Sequence, residues 1–144
     1  MPTSKTGLDI TTQAVIIDLI AELAASQKMA TLLITHDLGL ASEYCDHIAV
    51  MHAGHIVETA PTVALFATPH HRYTAKLIAA TPAGTPSLQA LGAIPGALPD
   101  LRRADLPLCR YSERCERAAP ACIERPSLRE AVGEGRRVAC HFPL

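Results

Sequence analysis

The sequence predicts an α/β fold that gives way to an irregular, cysteine-rich extension. Three observations carry that reading. An amphipathic helical segment over 9–27 leads directly into a short, unbroken apolar run, "MATLLI" over 29–34, and a helix followed by such a strand is half of an α/β unit. A second β-rich segment, "HIAVMHAGHIVET", follows after one short helical stretch. Beyond Thr81 all periodicity stops, and four of the five cysteines and nine of the thirteen basic residues lie between there and the last residue.

The first helix is set by Ile16, Leu19, Ile20 and Leu23 at i, i+3, i+4 and i+7, with Asp9, Thr11 and Thr12 as cap-type residues ahead of them. The run over 29–34 has no polar alternation, which suits a parallel strand covered on both faces. Thr35-His36-Asp37 breaks it, and Asp37 is placed to cap a short helix through Leu38, Ala41 and Tyr44. Two runs about Ala53-Gly54 then read as a hairpin. Pro61 fits the first position of the helix "PTVALFA", and "YTAKLIAA" over 73–80 reads as another. Seven Pro and Gly residues between 82 and 99 mark a linker or irregular arm, so the domain boundary is placed near 82, giving 1–81 and 82–144.

With 144 residues the chain suffices for one ordinary domain, and 49% hydrophobic against 3% aromatic residues predicts an aliphatic core of Leu, Ile, Val and Ala. Residues 1–99 carry four basic and seven acidic side chains, and 100–144 carry nine and seven, so the extension differs chemically from the body. The polar start "MPTSKTGLDITTQ" has no secretory h-region, and no apolar run has membrane-spanning length. The expectation is a soluble, cytosolic protein, in which spaced cysteines point to metal rather than disulfides.

A histidine just beyond the carboxyl end of a parallel strand is placed to meet a ligand there, to donate to a phosphate or to orient a water. On its own His36 reads more plainly as a capping or surface residue. The string "GLDITTQ", then "LLITHDL", then "D-x-I-A-V-M-x-A-G-x-I-V-E" changes that weighting, because together and in order it resembles the back half of an ABC-transporter ATPase. "HHRYTAKLIAATP" over 70–82, "IPGALPDL" over 94–101 and the later cysteines resemble the C-terminal extension of ATP-binding subunits of oligopeptide/dipeptide importers, whose relatives also carry nickel. The resemblance implies that Gly7, Leu8 and Asp9 form the D-loop between two ATPase subunits and that His36 is the switch histidine at the γ-phosphate.

The same resemblance exposes what the 144 residues do not contain. There is no G-x-x-x-x-G-K-[ST] phosphate loop, no "SGGQ"-type signature and no apolar strand ending in Asp-Glu. The expectation is therefore an incomplete P-loop NTPase domain lacking its N-terminal half, a truncated or split-gene fragment with its strand at 29–34 short of sheet neighbours and only marginally stable alone. In the intact protein the resemblance implies ATP and Mg²⁺ as cofactors and import of peptides or a related small solute. It implies as partners a second ATPase subunit, membrane permeases and, indirectly, a solute-binding protein, with the subunit peripheral on the inner face of the membrane.

Cys109, Cys115, Cys122 and Cys140 supply four thiolates, which suit a [4Fe–4S] cluster or a tetrahedral zinc. The plain alternative is scattered buried cysteines. Zinc-type C-x2-C knuckles are absent, the wide spacing suits a cluster better, and the extension it resembles is associated with [4Fe–4S]. His141 is an alternative zinc ligand, and Arg110, Arg114, Arg117, Arg136 and Arg137 lie near enough in sequence to balance a cluster's charge. Cys45 reads as a plain buried thiol. A nucleic-acid module is disfavoured because Glu113, Glu116 and Glu124 interrupt the arginines and stacking aromatics are scarce. A non-catalytic iron–sulfur or zinc interaction module is the remaining alternative.

Overall fold

The computed structural model describes residues 10–81, 94–124, 129–131 and 135–144, which fall into two compact units, Met1–Ile34 and Thr35–Leu144. Gly7, Leu8 and Asp9, and the boundary placed near 82, lie outside the described residues. No helix among the described residues is long and apolar enough to cross a membrane.

In the first unit the expected helix forms as α1, Ile10–Gln27. It ends in a Schellman cap: Met29 N–H donates to Ala24 O (2.9 Å) and Lys28 N–H to Ala25 O (3.3 Å). Lys28 takes the left-handed conformation, φ 53°, that glycine usually supplies. The apolar stripe is present but open, with Val15, Leu19 and Leu23 each more than half exposed. The strand expected over 29–34 is not there. Those residues pair with no other strand among the described residues, and Leu32 and Ile34 are 86% and 88% exposed. A run without alternation becomes a strand only where ladders meet it on its edges and apolar layers cover its faces.

The second unit is where the chain packs. α2, Leu38–Tyr44, is capped as the sequence suggests: Asp37 Oδ1 accepts from Gly39 N (2.8 Å) and Leu40 N (3.2 Å). β1, His47–His52, and β2, His55–Pro61, form the expected hairpin. Its two-residue turn puts Ala53 at φ 48° and Gly54 at φ 83°, the twist that suits a tight hairpin. β1 alternates strictly, burying Ile48, Val50 and His52. In β2 the register slips at Val50/Met51, so Val50 faces Glu58 and Met51 faces Ile56. Val57 is the extra residue of that bulge, and Val57 and Glu58 are buried in succession.

α3, Thr62–Ala67, begins one residue later than the sequence suggests, since Pro61 closes β2 and serves as the N-cap. Thr62 anchors it, its N–H donating to Asp46 O (2.9 Å) and its hydroxyl to Cys45 O. α4, Arg72–Ala79, is capped by the His71 ring, which accepts from Tyr73 N. Beyond it lie a 3-10 turn over Ser112–Arg114, α5 at Pro120–Glu124, and strands β3, Arg129–Ala131, and β4, Arg137–Ala139.

The sheet order is β1-β2-β4-β3, and every pairing is antiparallel. The parallel sheet expected from the apolar run is thus replaced, among the described residues, by an antiparallel one built partly from the extension. Glu58 and Thr59 of β2 pair with Val138 and Arg137 of β4, so the cysteine-rich segment completes the hairpin's sheet. The core is aliphatic as expected on one side: Ala41, Ile48, Val50, Val57, Ala60 and Leu65, with Cys45, Phe66, Tyr73 and Leu77 packed against it. The composition did not suggest the second cluster. The His52 ring lies 4.4 Å from Tyr73 and 5.4 Å, edge-on, from Tyr111, and Tyr111 also meets Tyr73 and His71. Two of the chain's three tyrosines are spent on that one interior.

Candidate functional site

Two sets of residues are candidates for chemistry, and they differ in how far the fold builds them. His36 is exposed at a bend between Thr35 and the N-cap Asp37, whose own N–H donates to Thr35 Oγ1 (3.0 Å). The neighbours are fixed by these local bonds and the imidazole is exposed, but the chain ahead of it is an irregular run rather than a paired strand.

The cysteines are held more deliberately. Cys109, Cys115, Cys122 and Cys140 form no disulfide with one another, and all four line one cavity. The local bonding explains how residues so far apart in sequence meet. Cys109 N–H donates to Cys122 O (3.0 Å), Ser112 N–H to Cys109 O (2.9 Å), and Cys115 N–H to Ser112 O (3.2 Å). Cys140 follows β4 directly, and Phe142 N–H donates to its Sγ at 3.4 Å. Burial pushes the Cys140 thiol up from its ordinary range; the Phe142 N–H opposes this, and the nearby Cys109, Cys115 and Cys122 add to it. A cation among the four would reverse that balance, since it favours thiolates.

Four sulfurs on one cavity fit a thiolate-ligated metal group by the chemistry of the donor set. Tyr111, Ser112 and His141 line the same cavity, and among the described residues their buried hydroxyls and the His141 Nε2 have no hydrogen-bond partner. Among the described residues, however, no three His, Cys, Asp or Glu side chains close into a ready coordination arrangement; the cavity gathers the donors without focusing them on one point.

The arginines act differently from what the sequence suggests. Arg110 donates to Ala53 O at the hairpin turn, and Arg114 to Pro95 O (2.7 Å) and Ile94 O (3.3 Å). Arg136 donates to Thr68 O and Oγ1 and lies 3.9 Å from Glu58. These three tie strands and loops together. Of the five arginines near the ligands in sequence, Arg117 lines the cavity.

Two interior groups went unread in the sequence. Glu58, with its side chain only 1% exposed, accepts from His70 N (2.8 Å) and His71 N (2.9 Å). In "HIVET" it reads as a solvent-facing strand residue, and only the bulge turns it inward. His71 is 2% exposed and lines the cavity. Burial, then His52 and Arg72, lower its pKa to about 4, so the ring is neutral near pH 7. Because Nδ1 accepts from Tyr73 N (3.1 Å), the remaining proton sits on Nε2. A His-His pair before an amphipathic helix was the available signal, since a histidine N-cap buries its ring against that helix.

Residues 57–122 match the family described as "Oligopeptide/dipeptide transporter, C-terminal region". The chain is 41% identical over 141 residues to the dipeptide transport ATP-binding protein DppD of Escherichia coli (strain K12), covering 96% of this chain and 42% of that protein. It is 40% identical over 135 residues to a peptide import ATP-binding protein of Brucella abortus (strain 2308), covering 94% and 40%. With the peptide transport system ATP-binding protein SapD of Escherichia coli O6:H1 it shares 41% over 142 residues, 96% and 42%. The chain thus spans about two-fifths of the length of these relatives. The family match thus covers residues 57–122, and the similarity to part of these peptide-import ATP-binding proteins runs along almost the whole chain.

Proposed function

We propose that this chain is the C-terminal part of an ATP-binding subunit that couples ATP hydrolysis to import of peptides or a related small solute. One observation carries the reading: about 41% identity runs along 96% of the chain to a dipeptide transport ATP-binding protein. In this reading residues 1–81 finish an ABC ATPase domain of the P-loop type and 82–144 form the importer extension. ATP and Mg²⁺ bind mainly through chain beyond these 144 residues. His36 contacts the γ-phosphate, and Gly7, Leu8 and Asp9 face a second ATPase subunit. The open stripe of α1 and the bare run over 29–34 pack against further parts of the ATPase domain. The subunit works on the cytoplasmic face of the membrane against permease partners, fed by a solute-binding protein.

The four cysteines hold a structural [4Fe–4S] cluster in this reading, with zinc as the second choice. Cys109, Cys115, Cys122 and Cys140 are the ligands. A cluster supplies a rigid cross-link between the 3-10 turn, α5 and the end of β4; its binding free energy is folding free energy where the site exists only in the folded chain. A purely structural metal module without ATPase chemistry is favoured only by the four cysteines lining one cavity while His36 stands exposed at a bend.

The test uses a full-length subunit with His36→Ala. Turnover falls to background while ATP affinity stays within about tenfold, because the γ-phosphate contact matters most as charge redistributes in the transition state. A variant that keeps its turnover number and loses ATP binding refutes the role of His36.

A further inference from the structure

The cysteine cavity holds more than its thiols. Tyr111 and Ser112 stand between Cys109 and Cys115, on the turn that brings those two cysteines to the cavity, and both line it. Tyr111 is 1% exposed and Ser112 4%, yet neither hydroxyl has a hydrogen-bond partner among the described residues. A buried hydroxyl left unpaired costs about 1–3 kcal/mol, and folded proteins satisfy nearly all such groups. One orphan has many explanations. Two adjacent in sequence, on the cavity that gathers four thiols, have a common one: their acceptors are sulfur atoms of the group the thiols hold.

We propose that the Tyr111 and Ser112 hydroxyls donate hydrogen bonds to the sulfurs of the centre ligated by Cys109, Cys115, Cys122 and Cys140, acting as positioning residues that raise its reduction potential. This rests on the iron–sulfur reading above. Donors to cluster sulfurs stabilise the more negative, reduced state and so move the potential upward. His71, whose Nε2 carries the proton, lines the same cavity and is a third N–H or O–H group on it.

The experiment reconstitutes the chain anaerobically with ferrous iron, sulfide and a thiol reductant. Iron and acid-labile sulfide are counted, and the midpoint potential is measured by a mediated titration followed in visible absorption. Tyr111→Phe and Ser112→Ala each keep the iron and sulfide content of the wild type, and each lowers the reduction equilibrium about tenfold, a shift of about 59 mV for one electron. The Fe–S stretching bands of the oxidised protein move up in frequency as the bonds to sulfur lose their donors. Should Tyr111→Phe lose its iron, Ser112→Ala, which removes one buried oxygen and no ring, decides alone. Variants with full iron content and the wild-type midpoint overturn the inference while leaving the cluster intact. A wild-type chain that takes up no iron overturns the iron–sulfur reading and this inference with it.

Discussion

The stretch over 10–34 and the unit Thr35–Leu144 are both rich in apolar residues with a regular pattern, and they come to opposite ends. In the first, Leu19 and Leu23 keep perfect helical spacing and stay 60% and 55% exposed. In the second, Leu65 and Ala60 are fully buried, and even the charged Glu58 is inside. The difference teaches that periodicity specifies which face of an element is apolar and not what covers it. α1 closes its own hydrogen bonds and can exist with a bare face, whereas a strand cannot close its own ladder, which is why 29–34 stays irregular and β2 forms between two partners.

The largest effect that bears on this contrast is at Glu58. Its carboxylate accepts from the His70 and His71 N–H groups and stands near Arg136, so Glu58→Ala leaves those two N–H groups without their acceptor and takes the opposite charge away from Arg136, which keeps its bonds to Thr68. The expected loss is about 3–5 kcal/mol, read from urea unfolding of the chain. A loss below about 1 kcal/mol means water replaces the carboxylate and the second unit is looser than its burial suggests.

Next comes a paired substitution. Leu65→Ala in α3 removes a side chain with no exposed surface and costs about 2–5 kcal/mol. Leu19→Ala in α1 removes the same atoms from an exposed stripe and stays within about 0.5 kcal/mol. Equal costs break the comparison, because they require α1 to be covered in the 144-residue chain in solution. In a full-length subunit the two costs converge, which sharpens it.

Legibility followed the same line. α1, α2 with its Asp37 cap, the hairpin and its turn, and the helices after Pro61 were readable because their signals are local: periodicity, a cap residue, a two-residue turn. The strand at 29–34 failed because it depends on neighbours that no local pattern supplies. β3 and β4 were missed for the converse reason; each is three residues long, too short to show alternation, and they exist because β2 offers an edge. Of the candidate site, the four cysteines were readable as a set and do share a cavity. Tyr111, Ser112 and His71 were not, since a lone buried polar residue looks like any other until its surroundings are known. The aromatic scarcity misled in the same way: few aromatics in the whole chain still allowed two tyrosines to meet two histidines in one interior.

A smaller effect tests the aromatic interior by pH. His71 is held neutral with a pKa of about 4 against an ordinary 6.5, so the unfolded chain binds a proton between those values that the folded chain refuses. Its contribution is full above about pH 6.5 and is lost as pH falls through 4, amounting to about 3 kcal/mol. His52, also lowered by burial first and then by Arg114, acts in the same direction. His71→Asn keeps a cap acceptor for Tyr73 N and removes the titration, so the slope of unfolding free energy against pH flattens between 4 and 6.5. An unchanged slope assigns the acid sensitivity to other groups.

The smallest effect separates two adjacent residues that the sequence offers as a pair. Asp37 spends its side chain on Gly39 and Leu40 N–H groups, and its loss opens the first turn of a seven-residue helix that buries Ala41. Asp37→Ala costs about 1 kcal/mol. His36 is exposed, so His36→Ala stays within about 0.5 kcal/mol. If both substitutions destabilise the chain alike, His36 belongs to the cap and its place after the apolar run is a folding feature. If only Asp37→Ala does, the histidine is kept clear of structural duty while its neighbours are pinned on both sides by Thr35 Oγ1 and the helix cap. A side chain so arranged can answer to a ligand without costing the fold anything, which is the condition a phosphate-sensing histidine has to meet.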